Sequence, residues 1–239
     1  RELIRRNMPS KKYTAAALCS NMLRSEHIPY NIFTPMLLDK EATRMLFCKL
    51  VDKDIAEITD IKIEYAGEPD KRPEYLNDRT SFDAYVQYKM ADGTEGGIGI
   101  EVKYTEKEYP LGGEEKKKIE NTSRYHMMTS NSHYYTNDVD IKRFIKDHHL
   151  RQIWRNHILG YSMMQKGDIQ KFHHIHLYPA GNIHFQKKAI PEYKTLLTEK
   201  GKNSFIDLTY EELFAQMRKH FKTAQQQKWI DYLYDRYLW

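Results

Sequence analysis

Residues 81–106 read SFDAYVQYKMADGTEGGIGIEVKYTE. Side chains alternate along a strand, so in the first arm Phe82, Ala84, Val86 and Tyr88 share one face and Asp83, Tyr85 and Gln87 the other. In the second arm Ile98, Ile100, Val102 and Tyr104 share a face, which leaves Glu101, Lys103 and Thr105 together on the opposite one. The Asp92-Gly93 turn and the Gly96-Gly97 pair join the arms as a hairpin. Requiring apolar residues to face apolar residues pairs Phe82 with Val102, Ala84 with Ile100 and Val86 with Ile98. A slip of one residue would set Val86 against Gly99 and an apolar residue against Glu101. The selected register places Asp83 opposite Glu101, roughly 5 Å apart at the Cβ atoms, with Lys103 one pleat further along.

Two carboxylates that close repel unless a cation lies between them, and oxygen donors of this kind suit Mg²⁺ or Mn²⁺ rather than zinc. Such an ion acidifies a bound water, polarises a phosphoryl oxygen and offsets the charge of a pentacoordinate transition state, while Lys103 would orient the water or steady the phosphate. The competing reading is a solvated strand face with a cross-strand ion pair. On its own, an Asp followed eighteen residues later by Glu-x-Lys is a weak motif.

Outward from the hairpin, apolar residues recur at three- and four-residue spacing from Lys12 to about Val51. Pro29 and Pro35 interrupt them, which predicts helix, break, helix, the second helix carrying Met45, Leu46, Leu50 and Val51. Residues 58–66 alternate like a strand and 67–79 read as a loop. Residues 107–140 lack a sustained apolar period and predict a long excursion from the core. Helix returns over 141–164, a strand follows at 172–179, Thr209 with Glu212 forms a capping-box pattern, and an aromatic helix runs from Trp229 to Leu238. Strands enclosed by helices predict an α/β (α+β) domain spanning 1–239.

The chain has 239 residues, 40% hydrophobic and 30% charged, which supplies a packed core and excludes a membrane-spanning protein. No apolar stretch with a cleavage site follows the basic segment Arg1 to Arg6, and the expected setting is cytoplasmic. Cys19 and Cys48 sit among apolar neighbours and read as reduced core residues rather than a disulfide or zinc site. The net charge of +5 suits a nucleic-acid partner but is too mild to identify one.

The hairpin resembles the PD-(D/E)XK nuclease superfamily, and more closely its restriction-endonuclease-like bacterial branch, through Arg79-Thr80-Ser81-Phe82-Asp83 and Ile100 to Glu106. Three more segments are similar to that branch: SEHIPYNIFTPM at 25–36, RQIWRNHILGYSM at 151–163, and LYPAGN at 177–182 followed by the terminal DRYL. The resemblance implies a central mixed sheet flanked by helices, with Asp83, Glu101 and Lys103 as the metal-binding and catalytic core. It also implies a helix carboxylate before the sheet, with Glu26 in the matching segment as a metal ligand and Glu41 on the next helix as its rival.

On the helix after the Glu-x-Lys strand, Leu150, Trp154, Ile158 and Tyr161 make an apolar stripe, with Gln152, Arg155 and Asn156 to another side. The superfamily often uses a Gln from this helix near the metal, which is Gln152 here. Gln152 and Arg155, three apart, can reach one phosphate together, Arg155 as a bidentate contact. The alternative is a polar edge on a core helix. His173, His174 and His176 are not expected to bind metal, because His173 points away from the other two and no carboxylate or cysteine motif accompanies them. Lys116 to Lys118 could touch a nucleic-acid backbone, and Tyr134 and Tyr135 could stack on bases.

The sequence therefore reads as a Mg²⁺- or Mn²⁺-dependent phosphodiesterase acting on nucleic acid, with DNA favoured, in restriction, phage defence or repair. A homodimer is left open. The rival is a nucleic-acid-binding or assembly module that keeps the fold without catalysis; a third is a metal enzyme acting on small phosphate esters.

Overall fold

The computed structural model describes residues 25–78, 80–107 and 123–238. Five strands form one sheet in the order β1 (Ile55–Tyr65), β2 (Phe82–Met90), β3 (Glu95–Val102), β4 (Lys171–Tyr178) and β5 (Phe205–Thr209). The first three run antiparallel as a meander, and β4 and β5 add in parallel, so β3 is where the sheet changes sense. The helices are α1 (Ile28–Ile32), α2 (Lys40–Leu50), α3 (Ser123–Ser132), α4 (Ile141–Lys146), α5 (His148–Gln165), α6 (Ile190–Thr195), α7 (Glu199–Asn203), α8 (Tyr210–His220) and α9 (Ala224–Tyr237). A mixed sheet flanked by helices is the expected α/β architecture.

Each sheet face carries its own core, as strand alternation requires when both faces are covered. On one, Ala84, Val86, Ile98, Ile100 and Val102 pack with Leu46 and Phe47 of α2, Leu213 and Phe214 of α8 and Ile230 of α9. On the other, Tyr85 and Phe172 pack with Ile153, Trp154 and Ile158 of α5. Gly160 lets α5 approach β4 closely: a Cβ there would lie 2.0 Å from the Phe172 ring.

The hairpin turns at Gly93, whose φ of 86° is open to glycine without strain, and pairs Ala84 with Ile100 and Val86 with Ile98 as expected. Phe82 departs from the expectation. At the first position of β2 it turns to the α5 side and packs on Phe172, ring centroids 5.6 Å apart, over the space left by Gly99.

Other boundaries moved for local reasons. The helix pattern of 12–51 appears, within the described residues, as α1, a 3-10 turn at Pro35–Leu38 and α2, which carries Met45, Leu46 and Leu50, with Met45 exposed. The span 141–164 breaks at Asp147, whose extended backbone ends α4 and caps α5. Both C-terminal helices open with capping boxes, Thr209 with Glu212 and Thr223 with Gln226, and the second starts the last helix earlier than its aromatic residues suggest. Strand β5 is short and is not among the strands expected from the sequence.

The excursion expected over 107–140 is corrected where it is described. Residues 123–140 contain α3 and bury Tyr125, Met128, Tyr134 and Tyr135 against α5 and α6. The helical period is masked because Thr129 and Ser132 share the inward face and satisfy their hydroxyls on carbonyls of their own turn. Tyr134 and Tyr135 therefore have no stacking surface for bases, and Lys116 to Lys118 lie outside the described residues. Cys48 is a half-buried free thiol donating to the Ile55 carbonyl, and Cys19 lies outside the described residues. Among the described residues no helix is long and apolar enough to cross a membrane.

Candidate active site

The β2–β3 ladder stops at Ala84 and Ile100. Beyond it the Val102 N–H donates to Asp83 Oδ2 at 2.7 Å, so the carboxylate takes the place of a ladder acceptor and is held at the mouth of the opening strands. Glu101 stands on the α5 side of β3, 1% exposed. Lys103 Nζ donates to Glu101 Oε1 at 2.5 Å and to Gln152 Oε1 at 2.7 Å. Asn156, one turn along α5 from Gln152, donates to Glu101 Oε2 at 2.5 Å. The Lys103 main chain is fixed from both ends, its N–H on the Leu177 carbonyl at 2.8 Å and its carbonyl on the Tyr210 hydroxyl at 2.7 Å.

The electrostatics follow from one ammonium beside the buried Glu101 and the half-buried Asp83, Glu64 and Glu106. Burial, then repulsion from Glu101, holds the Asp83 carboxyl well above the ordinary carboxylate range, with Lys103 opposing. Burial likewise raises Glu101 against the pull of Lys103 and Asn156. Burial alone would lower Lys103, but Glu101 and Asp83 outweigh it and keep it an ammonium. Glu64 adds repulsion at Asp83; it sits in β1 with a φ of 55° and accepts from Ser81 Oγ at 3.3 Å. The cluster thus has a surplus of acidic groups.

The remaining expected residues fall differently. Glu26 lies in the 3-10 turn Ser25–His27, and its side chain is outside the described residues. That turn is docked beside the cluster, because Glu106 accepts the Ser25 N–H at 3.2 Å and the Tyr104 N–H at 2.7 Å. Glu41 is exposed and gripped by Arg44 at 2.6 and 2.8 Å, and the fold does not bring it to Asp83. Gln152 reaches Lys103, but Arg155 does not join it as a phosphate contact. Its guanidinium is 3% exposed and donates to Asp78 Oδ2 at 2.8 Å and to the Tyr125 hydroxyl at 3.2 Å. Burial pushes the Asp78 carboxyl up, yet Arg155, Tyr125 and Thr80 hold it below its usual range.

Asn156, Asp78 and Glu106 were not assigned these roles from sequence. The signal for Asn156 was its i,i+4 spacing from Gln152; Glu106 lay in the quoted block without a role, and Asp78 gave no local signal at all. His174 and His176 share the α5 side of β4 while His173 points away, as strand alternation predicts. Among the described residues no group of three or more His, Cys, Asp and Glu side chains is arranged to hold a metal, so Asp83 and Glu101 stand as a pair.

A sequence profile of the PD-(D/E)XK nuclease superfamily matches residues 1–239. The chain belongs to the PD-(D/E)XK nuclease superfamily. The fold brings Asp83, at the strand opening, together with Glu101 of β3 and Lys103 just past its end. No curated protein and no solved structure matches the chain.

Proposed function

We propose that this PD-(D/E)XK protein hydrolyses phosphodiester bonds in nucleic acid, DNA being the favoured substrate, with Mg²⁺ or Mn²⁺ held by Asp83 and Glu101, in a cytoplasmic setting. The observation that carries this reading is the cluster in which the buried Glu101 is fixed by Lys103 and Asn156 while the half-buried Asp83 faces it from the next strand. Its donor set fits the ion: carboxylate oxygens, no sulfur, and raised carboxyl groups whose missing compensation a divalent cation would supply. Such an ion, when bound, supplies Lewis acidity that acidifies water, polarises a phosphoryl oxygen and offsets transition-state charge.

The protein groups do the positioning. Gln152 Oε1 steadies the Lys103 ammonium, which is then aimed at the attacking water or at a non-bridging phosphate oxygen. The Val102 N–H fixes Asp83, and Asn156 fixes Glu101, so neither carboxylate has to reorganise as charge develops. Glu26 is retained in this proposal as a further oxygen ligand.

The test incubates the protein with plasmid, linear duplex, single-stranded DNA and RNA in Mg²⁺, Mn²⁺ or EDTA, and follows its melting temperature in the same buffers. Metal-dependent cleavage is expected, together with metal stabilisation of about 2.7 kcal/mol at a hundredfold excess over Kd. The double variant Asp83→Ala with Glu101→Ala should lose both. Salt-sensitive binding without cleavage of any substrate would support a binding module instead.

A further inference from the structure

A second concavity opens beside the catalytic cluster, a cleft of about 670 Å³ lined among others by Tyr104, Thr105, Lys107, Asn182, Ile183 and Glu211. It lies past the C-terminal ends of β3 and β4, where the sheet changes from antiparallel to parallel pairing. The size lies within the roughly 300–1,000 Å³ of small-molecule pockets. Nothing in the catalytic arrangement uses it.

The geometry points to this cleft as the site for one unpaired nucleobase flanking the scissile phosphate, preferentially a base with an exocyclic amine. This inference rests on the nuclease reading above. The first argument is reach. Tyr104 and Thr105 directly follow Lys103, so the cleft begins within ~7 Å of extended chain from the lysine. Bases along one strand are ~3.4 Å apart, which places the cleft one or two nucleotides from the reacting phosphate.

Chemistry supplies the second argument. Tyr104 and Tyr237, 6% and 3% exposed, form a packed aromatic floor, with ring centroids 5.8 Å apart and edge-on, which offers apolar contact rather than a stacking face. Ile183 at the rim is 52% exposed, which leaves its side chain available as a wedge against a base step. Lys107 supplies a cation for the adjoining backbone, while Glu211 places a carboxylate among the apolar walls. Glu211 Oε2 accepts the Ala180 N–H at 2.9 Å, which orients the group, and a carboxylate acceptor pairs with an exocyclic amine such as cytosine N4.

The third argument is rigidity. Asn182 Nδ2 donates to the carbonyls of Tyr104 and Glu106, both at 3.0 Å, and so ties the segment after β3 to the loop after β4. The walls are preformed and require little ordering when a base enters.

The experiment uses short duplexes with the cut position mapped, carrying a single abasic residue at each flanking position in turn, with wild type, Ile183→Ala and Glu211→Gln. Both variants should melt like wild type, because Ile183 is exposed and a glutamine oxygen still accepts the Ala180 N–H. In wild type, one abasic position should reduce cleavage on the order of tenfold, the scale of one lost apolar contact in a pocket. At that position alone Ile183→Ala should add no further loss, and Glu211→Gln should lose its preference for cytosine over thymine. Losses that simply multiply at every position would overturn the proposal. A wild type that cleaves nothing sinks the nuclease reading instead. The same series is then read as binding affinity, where coupling at one position supports the cleft and its absence at all positions rejects it.

Discussion

The Asn156 side-chain amide donates to Glu101 Oε2 at 2.5 Å, and the donor is fully buried on α5. A buried carboxylate deprived of a donor retains its desolvation cost, and its freedom to rotate is restored. Asn156→Leu should therefore destabilise the fold by about 1–3 kcal/mol. It should also raise the Mn²⁺ concentration for half-maximal thermal stabilisation by about 10–100-fold, the usual effect of removing a group that orients a metal ligand. An unchanged Mn²⁺ midpoint would reduce Asn156 to a packing residue.

Lys103 separates catalysis from binding. If its ammonium acts on charge that grows only in the transition state, Lys103→Ala lowers cleavage on the order of 10²-fold or more while affinity falls far less. Single-turnover rates and equilibrium binding on one duplex decide this. Equal losses in both would mark Lys103 as a ground-state phosphate contact.

Arg155 is predicted to matter for stability and not for nucleic-acid contact. Asp78→Ala leaves its guanidinium buried without its carboxylate, a change that typically costs about 3–5 kcal/mol, so chemical denaturation should show a loss on that scale. Arg155→Met removes the charge, and the dependence of log affinity on log salt concentration should keep its slope. A slope smaller by about one would restore Arg155 as a phosphate contact.

His174 predicts the acid side of the stability profile. Burial lowers its pKa from 6.5 to about 3, so between these values the unfolded chain binds the proton that the folded chain refuses. Its contribution is complete above pH 6.5 and is lost as pH falls towards 3, about 2 kcal/mol of it by pH 5. His174→Phe should flatten the fall in stability between pH 7 and pH 5. An unchanged slope would show that other groups carry the acid sensitivity.

The register of the central hairpin was legible in the sequence because strand alternation has period two and apolar positions must face one another. That rule alone set Ala84 against Ile100 and left Asp83 and Glu101 to meet beyond the last ladder pair. Both capping boxes are equally local, each written in four consecutive residues.

The partners of α5 were settled by tertiary structure. From Gln152, Arg155 lies about 300° and Asn156 about 400° around the helix, so either is near enough to share its side. Which of them meets the sheet depends on the rotation of the whole helix, fixed where Gly160 admits the Phe172 ring and where Ile153 and Ile158 enter the core. That rotation gave Asn156 to Glu101 and left Arg155 to Asp78, a residue far away in sequence. Spacing along a chain says which side chains travel together; the packing of one element against another decides what they touch.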